Sequence, residues 1–445
     1  MAKHWIAILI LVSQGAAPAH ALGLLDAYRA ALRLDAGVRA GDASILIAQE
    51  RIHQARASLL PTVGLTVSVA KNNIQRSTDA DGGAVSRIDE RYDSQNQSIQ
   101  VRQPLYRRAA WLMHDQVVAL HGDAQAQRDQ DLASVAQRIV ATYTEALLAR
   151  EEMTLAASER RFMQEQLDAA VRAQSAGRGT RTDVDDIRAR LDLHAAHELD
   201  VTQRWRLAIH ELALRTGEQI LALPMLSVAK MEELGLGDRP LSDWLVSAEG
   251  GNPAVRAAQA KLAASRLEVA GARAMHEPVL DAFAQVVRSR SETVTTPSSR
   301  YLNRTVGLQL SVPLYAGGST GSVVRQALAA QDRAEALLEQ ARVELSLAVT
   351  RAFHAWHQTH EKMRALSQVE ASARLAMQST ERSREAGVRT LADVLDAERR
   401  LQAVRRDLAQ TRYAHLQSRI ALVALAGEDL WSEVTRQNDL LQASD

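Results

Sequence analysis

Two hydrophobic periods alternate along the chain, and each occurs twice. Leu24 to Leu60 and Leu241 to His276 place apolar residues at helical spacing, as in Leu262, Leu267 and Val269 among alanines. Each stretch runs up to a proline, Pro61 or Pro278, which ends a helix because it lacks an N–H and clashes with the preceding turn. The period then falls to two. Val63, Leu65, Val67 and Val69 alternate with Thr62, Gly64, Thr66 and Ser68. In the second half Leu302, Val306, Leu308, Leu310, Val312 and Leu314 alternate with Asn303, Thr305, Gly307, Gln309 and Ser311, with Arg304 the exception on the apolar side. Ser94 to Leu105 and Val279 to Val287 are less regular partners for these strands. Long helical stretches follow, Arg107 to Ser175 and Ser322 to Glu385. A glycine-containing break and a final helix complete each half, Thr182 to Arg215 and Thr390 to Leu425. At ~1.5 Å per residue, the first long stretch would reach roughly 100 Å.

The recurrence is a duplication. Val38-Arg39-Ala40 returns as Val255-Arg256-Ala257 and Pro61 as Pro278, both at an offset of 217. Pro104-Leu105-Tyr106 returns as Pro313-Leu314-Tyr315 at 209. Ala176-Gly177, Asp183-Val184 and Gly217 return as Ala386-Gly387, Asp393-Val394 and Gly427 at 210. Five matches in one order point to a tandem repeat. The expected division is a leader over 1–21, a first repeat over 22–217 with a hairpin at about 62–105, and a connecting segment over 218–238. A second repeat over 239–427 with a hairpin at about 279–314 and a tail over 428–445 follow.

The candidate strands have about the 9–11 residues that a tilted transmembrane strand needs, and their alternation is the apolar-out, polar-in dyad of a membrane barrel. Segments 71–92 and 288–300 are charged and polar and read as extracellular loops. Soluble hairpins decorating a coiled coil would show the same alternation. If the strands do span a membrane, four cannot close a barrel and an open edge cannot face lipid, so several chains must pool them.

Composition narrows the chemistry. Lys+Arg and Asp+Glu are both 53 and the formal net charge is zero, so nothing suggests a nucleic-acid partner. There is no cysteine, which excludes a catalytic thiol, a disulfide framework and a thioether lipid anchor. Residues 1–21 read as a secretory leader: Lys3 and His4, the apolar run Trp5 to Val12, and the A-x-A site Ala19-His20-Ala21. No later run is apolar enough to be a transmembrane helix.

The order helix, hairpin, very long helix, glycine break, helix, repeated after a leader, resembles the TolC family of outer-membrane export ducts over nearly the whole mature chain. The residues that carry the resemblance are Ala55-Arg56-Ala57-Ser58-Leu59-Leu60-Pro61, Ser311-Val312-Pro313-Leu314-Tyr315-Ala316-Gly317-Gly318 and the run from Ala386 to Ala397. The resemblance implies a mainly α subunit with transmembrane β structure. It implies a homotrimer that pools four strands per chain into a 12-stranded barrel in the outer-membrane lipid, above a periplasmic helical barrel. Pro61, Pro104, Pro278 and Pro313 would mark the barrel–helix junctions. The expected partners are a periplasmic adaptor and an inner-membrane pump that is ABC-type or proton-driven, with no cofactor. There is no G-x-x-x-x-G-K-[ST] phosphate loop, so the subunit is read as a passive duct and not an enzyme.

Asp393 and Asp396 are three apart and face one side of a helix, so copies around a threefold axis would make acidic rings that favour cations and raise one another's pKa. In the family the matching aspartates line the periplasmic constriction. Asp183 and Asp186 are the first-repeat equivalents. The family's counterpart of Asp183 bonds across to the arginine matching Arg389, and this link helps hold the tip closed. Arg384 stands where the family has a tyrosine. Thr182-x-x-Asp185 and Thr390-x-x-Asp393 also read as capping boxes, a purely structural role.

Other signals are weaker. His354, His357 and His360 are spaced for a surface or packing role rather than for a metal, because the third drifts around the helix. Gly317-Gly318-Ser319-Thr320-Gly321 reads as a strand-to-helix turn, and Tyr106 and Tyr315 as belt or packing residues. The cargo is either exported protein, as in type I secretion, or small toxic compounds. The rival class is a periplasmic coiled-coil adaptor with no pore.

Overall fold

The computed structural model describes residues 21–79, 85–233, 239–290 and 299–442. Apart from Ala21 the expected leader lies outside these residues, as do parts of the hairpin tips and of the connecting segment.

The elements run as helices α1 (Leu24–Leu34) and α2 (Ala36–Ala57), strands β1 (Thr62–Asp79) and β2 (Val85–Tyr106), and helices α3 (Arg108–Ser175) and α4 (Arg181–Thr216). Strand β3 (Met225–Leu226) and helix α5 (Val228–Glu233) lead to α6 (Leu241–Gly251), α7 (Pro253–Ala274), β4 (Val279–Arg290) and β5 (Arg300–Ser311). Helices α8 (Ser319–Glu385), α9 (Leu391–Ala426) and α10 (Leu430–Asp439) and strand β6 (Leu441–Gln442) complete the described chain.

Three sequence expectations are corrected. The helix expected over Leu24–Leu60 is broken at Asp35, whose Oδ1 accepts from the N–H of Gly37 at 2.8 Å and of Val38 at 3.1 Å, capping α2. The second repeat breaks likewise at Asn252, and Pro253 opens α7 where its missing N–H costs nothing. Apolar periodicity continues through both breaks and hides them. Finally, much of the expected loop 71–92 is strand: β1 and β2 stay in register from Thr62↔Arg102 to Asp79↔Val85. Polar residues there mark where the strands leave the apolar layer, not where pairing ends.

The chain divides into two compact units. Among described residues the first holds those up to Ala40, Asp129–Pro253 and those from Arg342 on. Its core gathers Leu24, Tyr28, Ile139, Tyr143, Leu212 and Ile420, all almost fully buried, each contributing about 1.5–3 kcal/mol by removal from water. The Tyr143 hydroxyl is not stranded there: it donates to Leu22 O at 2.8 Å. β3 pairs antiparallel with β6, so the connecting segment and the tail are joined in one small sheet. Gly251 and Gly427 touch backbone to backbone. A Cβ on Gly427 would lie 2.3 Å from Gly251 C, and Gly427 has φ +68.

The second unit holds Gly41–Arg128 and Ala254–Ala341. Its helical segments are rich in alanine and approach closely, with Val269, Ala272 and Ala327 buried together. Both α2 and α7 end in a tightened turn of three successive i→i−3 bonds: Ser58, Leu59 and Leu60 in one, Met275, His276 and Glu277 in the other. These turns deliver the chain to Pro61 and to Pro278, immediately before β1 and β4. The four long strands form one antiparallel sheet, order β1-β2-β4-β5. Pro104 sits inside β2, where the register with β4 shifts between Pro104 and Tyr106. A bulge tolerates a residue with no N–H to give. Pro313 follows β5 by two residues.

Candidate functional site

The sheet has one apolar and one polar face. The registers Val63↔Val101, Val101↔Ala284 and Ala284↔Val306 put one residue from every strand in a row, as do Leu65, Ile99, Val286 and Arg304. These side chains find no core within the chain: Val63 is 71% exposed, Leu308 68% and Val306 84%. An uncovered apolar face of this extent marks contact with lipid or protein. On the other face lie Thr62, Gly64, Thr66 and Ser68 with Gln100, Ser98 and Gln285. Arg102 and Arg107 converge there on Asp281 at 2.7 and 3.2 Å, and the aspartate is nearly buried between them. Phe283 covers Gly307, its cross-strand partner, with Cζ 3.0 Å from where a Cβ would stand. The outer edges of β1 and β5 have no strand partner among the described residues.

At the start of α3 the Tyr106 ring meets Trp111 edge-on at 5.7 Å, and its hydroxyl donates to Glu277 at 2.8 Å. Tyr315 is almost fully exposed. Gly317 and Gly318 adopt positive φ, 60° and 82°, and turn the chain into α8.

In the first unit the two helical tips are built alike. Gly177 (φ 71) and Gly387 (φ 77) end α3 and α8 in the left-handed conformation. Arg178 N–H then donates to Ala173 O, and Val388 N–H to Ser383 O, each at 2.9 Å. Helices α4 and α9 begin with matching capping boxes. The hydroxyl oxygen of Thr390 accepts from Asp393 N–H at 3.2 Å, while an Asp393 carboxylate oxygen accepts from Thr390 N–H at 2.9 Å. In the first repeat the cap is Thr180 with Asp183, at 3.1 and 3.2 Å. The expected Thr182–Asp185 box does not form, because Thr182 already lies inside α4. Thr180 is 210 residues before Thr390, the offset that already linked Asp183 to Asp393, so the repeat itself held the signal.

The tip aspartates are paired within the chain. Hydrogen bonds from the Thr390 backbone and hydroxyl, with Arg389 nearby, hold the Asp393 carboxyl below the usual carboxylate range. The Thr180 hydroxyl and backbone do the same for Asp183. The upward shift expected of a like-charge ring has its source in neighbouring copies, and the single chain pulls the other way. Arg389 lies 3.7 Å from Asp393, Arg399 3.7 Å from Asp396, and Arg190 3.0 Å from Asp186. Arg389 is thus drawn to Asp393 in the single chain, whereas the resemblance links it to Asp183. Arg384 has a buried Nε with no hydrogen-bond partner. Below the tips Ile187, Val184, Met163 and Leu395 pack together, joining α3, α4 and α9.

A histidine arrangement escaped the sequence reading. His360 of α8 lies beside His415 of α9, ring centroids 5.7 Å apart. His415 is buried against Trp356 (6.2 Å, 23°), and its Nδ1 is 3.1 Å from the Thr359 hydroxyl. Only the α8 histidines lay close in sequence; α9 supplies the fourth ring. Among the described residues no group of three or more His, Asp or Glu could hold a metal ion, and no helix is long and apolar enough to cross a membrane.

A sheet with one lipid-ready face and two open edges, in a chain whose other unit carries paired capped helical tips, defines a subunit of an outer-membrane channel. A pore-less adaptor would leave that apolar face without a partner. The sequence profile of the outer membrane efflux protein family matches residues 27–218 and 244–428, and the chain belongs to that family. It is 32% identical over 432 residues to the "Proteases secretion protein PrtF" of Dickeya chrysanthemi, covering 96% of this chain and 93% of that one. It is 30% identical to the "Alkaline protease secretion protein AprF" of Pseudomonas aeruginosa, covering 95% and 87%. The fold matches the outer membrane protein VceC from Vibrio cholerae with a TM-score of 0.77 at 17% identity, over 92% of this chain and 96% of that one. CusC, a transmembrane channel, matches with a TM-score of 0.78 at 16% identity over 92% of each chain.

Proposed function

We propose that three copies pair the free edge of β5 with that of β1 in the next copy, closing a 12-stranded barrel in the outer membrane that conducts cargo from the periplasmic side. The observation that carries this is the sheet itself: one face largely apolar and exposed, and outer edges of β1 and β5 with no strand partner among the described residues. Open edges are not tolerated in hydrocarbon, whereas a closed barrel satisfies every backbone group. The cargo is an exported protein. The relatives at 30–32% identity carry protease-secretion names, and they match nearly the whole chain. A periplasmic adaptor and an energised inner-membrane pump deliver it, since the subunit has no nucleotide-binding loop of its own.

The proposed gate is the pair of tips. Asp393 and Asp396 line the constriction. Thr182 and Asp183 meet Arg389 of a neighbouring copy when the tip is closed. The 3.7 Å spacing of Arg389 from Asp393, on an exposed surface, is loose enough for the arginine to be shared. The test is conductance in a planar lipid bilayer, wild type beside Asp393→Ala/Asp396→Ala. A small cation-selective conductance that loses selectivity in the variant is expected. Absence of conductance from folded protein would overturn the duct. A pore unchanged by the substitutions would reduce Asp393 to a helix cap.

A further inference from the structure

A cavity of about 360 Å³ opens in the first unit among α3, α4 and α9. Its most buried polar lining residues carry acceptors. Glu159, Glu398 and Gln402 all line it, and they are 5%, 8% and 3% exposed. Gln402 Nε2 donates to Glu398 Oε1 at 2.6 Å, which fixes the orientation of the amide. The other end, Gln402 Oε1, is then a buried acceptor with no hydrogen-bond partner. Glu159 meets only an imidazole, His194 Nδ1, at 3.2 Å. Buried acceptors of this kind are stable only when donors reach them. Arg190, Arg399 and Arg406 also line the cavity; Arg190 is paired with Asp186 at 3.0 Å and Arg399 with Asp396 at 3.7 Å. The walls are apolar: Met163, Leu193 and Leu395.

The demand is therefore for a donor-rich group on an apolar body. A bare metal ion does not meet it, because no three His, Asp or Glu among the described residues close around one point. We propose that this cavity binds a small organic cation of the amidinium or guanidinium class. The planar N–H fork reaches Glu398 and Gln402 Oε1, and the apolar body lies on Met163, Leu193 and Leu395. Two parallel N–H groups suit adjacent carboxylate and amide oxygens better than a single point charge does.

The test is calorimetric titration of the purified, detergent-solubilised protein with benzamidine, beside benzyl alcohol as a neutral ligand of similar shape. Saturable binding of about one benzamidine per chain is expected, with benzyl alcohol at least tenfold weaker. Glu398→Gln should weaken benzamidine at least tenfold. Leu193→Trp gives an independent reading: Leu193 is 71% exposed, so the larger ring fills the mouth without disturbing the floor, and binding should be lost while the melting temperature stays. No saturable binding by the wild type would mean the cavity holds only water. Equal binding of the two ligands, or unchanged binding to Leu193→Trp, would equally overturn the proposal. Conductance of the same preparation reports on the duct separately, so the two readings fail independently.

Discussion

His415 should make this protein acid-sensitive in a way that one substitution removes. Its ring is packed on Trp356 and flanked by His360, with Arg419 on the same helix and His357 across on α8. Around it, Arg419 lies over the Trp356 ring at 4.6 Å and reaches Glu433 of α10 at 3.4 Å. Burial, then the neighbouring histidine, pulls the His415 pKa from 6.5 down to about 4. A histidine depressed in the folded state costs nothing above its unfolded pKa. As pH falls below that value the unfolded chain gains a proton that the folded chain refuses, so stability drops until pH reaches the folded pKa. Between pH 7.5 and 5.0 the loss from this residue is about 2 kcal/mol, at ~1.36 kcal/mol per unit of differential protonation. The assay is guanidinium-chloride unfolding in detergent at both pH values, followed by tryptophan fluorescence, since Trp356 reports on the site directly. His415→Gln lowers stability at both pH values by spoiling the packing. Its decline between them should be smaller than the wild type's by about 2 kcal/mol. Carboxylates elsewhere cancel in that difference. Equal declines in the two proteins would refute the reasoning.

Two further perturbations follow from local geometry. Thr180→Ala and Thr390→Ala each remove one side of a capping box and should cost about 1 kcal/mol; hydrogen exchange should show the loss confined to the first turn of α4 or α9. Gly427→Ala would force a Cβ to 2.3 Å from Gly251 C while holding a left-handed φ. It should therefore cost more than about 2 kcal/mol, visible as a lower melting temperature, whereas Gly250→Ala, with open space at its Cβ, should be near neutral.

How much of this was legible depended on which signal each residue carries. Val63 to Val69 and Val306 to Leu310 announce their strands because lipid-facing and polar positions alternate without interruption. On β2 the same face holds Ile99 and Val101, then Gln97 and Gln95 opposite Val67 and Val69, so the alternation fades on this strand although backbone pairing continues. Asp35 and Asn252 are hard to read because a break between two helices that continue one apolar pattern leaves hydrophobic spacing almost intact; only Asn252-Pro253 carries a readable cap signature. Thr180 and Thr182 both precede an aspartate by three, so local spacing cannot rank them; only the 210-residue offset to Thr390 does. The pairing of His415 with His360, and the gathering of Glu159 of α3 with Glu398 and Gln402 of α9 around one cavity, depend on how α3, α4, α8 and α9 pack. No single stretch of sequence encodes it.

The two hairpins differ in length, and the difference is informative about descent. Pro61 to Pro104 spans 43 residues, whereas Pro278 to Pro313 spans 35. β2 pairs with β4 only from Gln95 to Tyr106; from Val85 to Ser94 it pairs with β1 alone. Beyond Gln95 the first hairpin is a two-stranded ribbon whose length nothing else in the described chain constrains. Residues added there in matched pairs leave every lipid-facing side chain on its own side, while a single added residue nearer the membrane would turn a strand inside out. The eight-residue excess is an even number. The two repeats thus differ in length where pairing with the rest of the sheet has ended, and by a number that leaves the inward and outward faces of the strands unchanged.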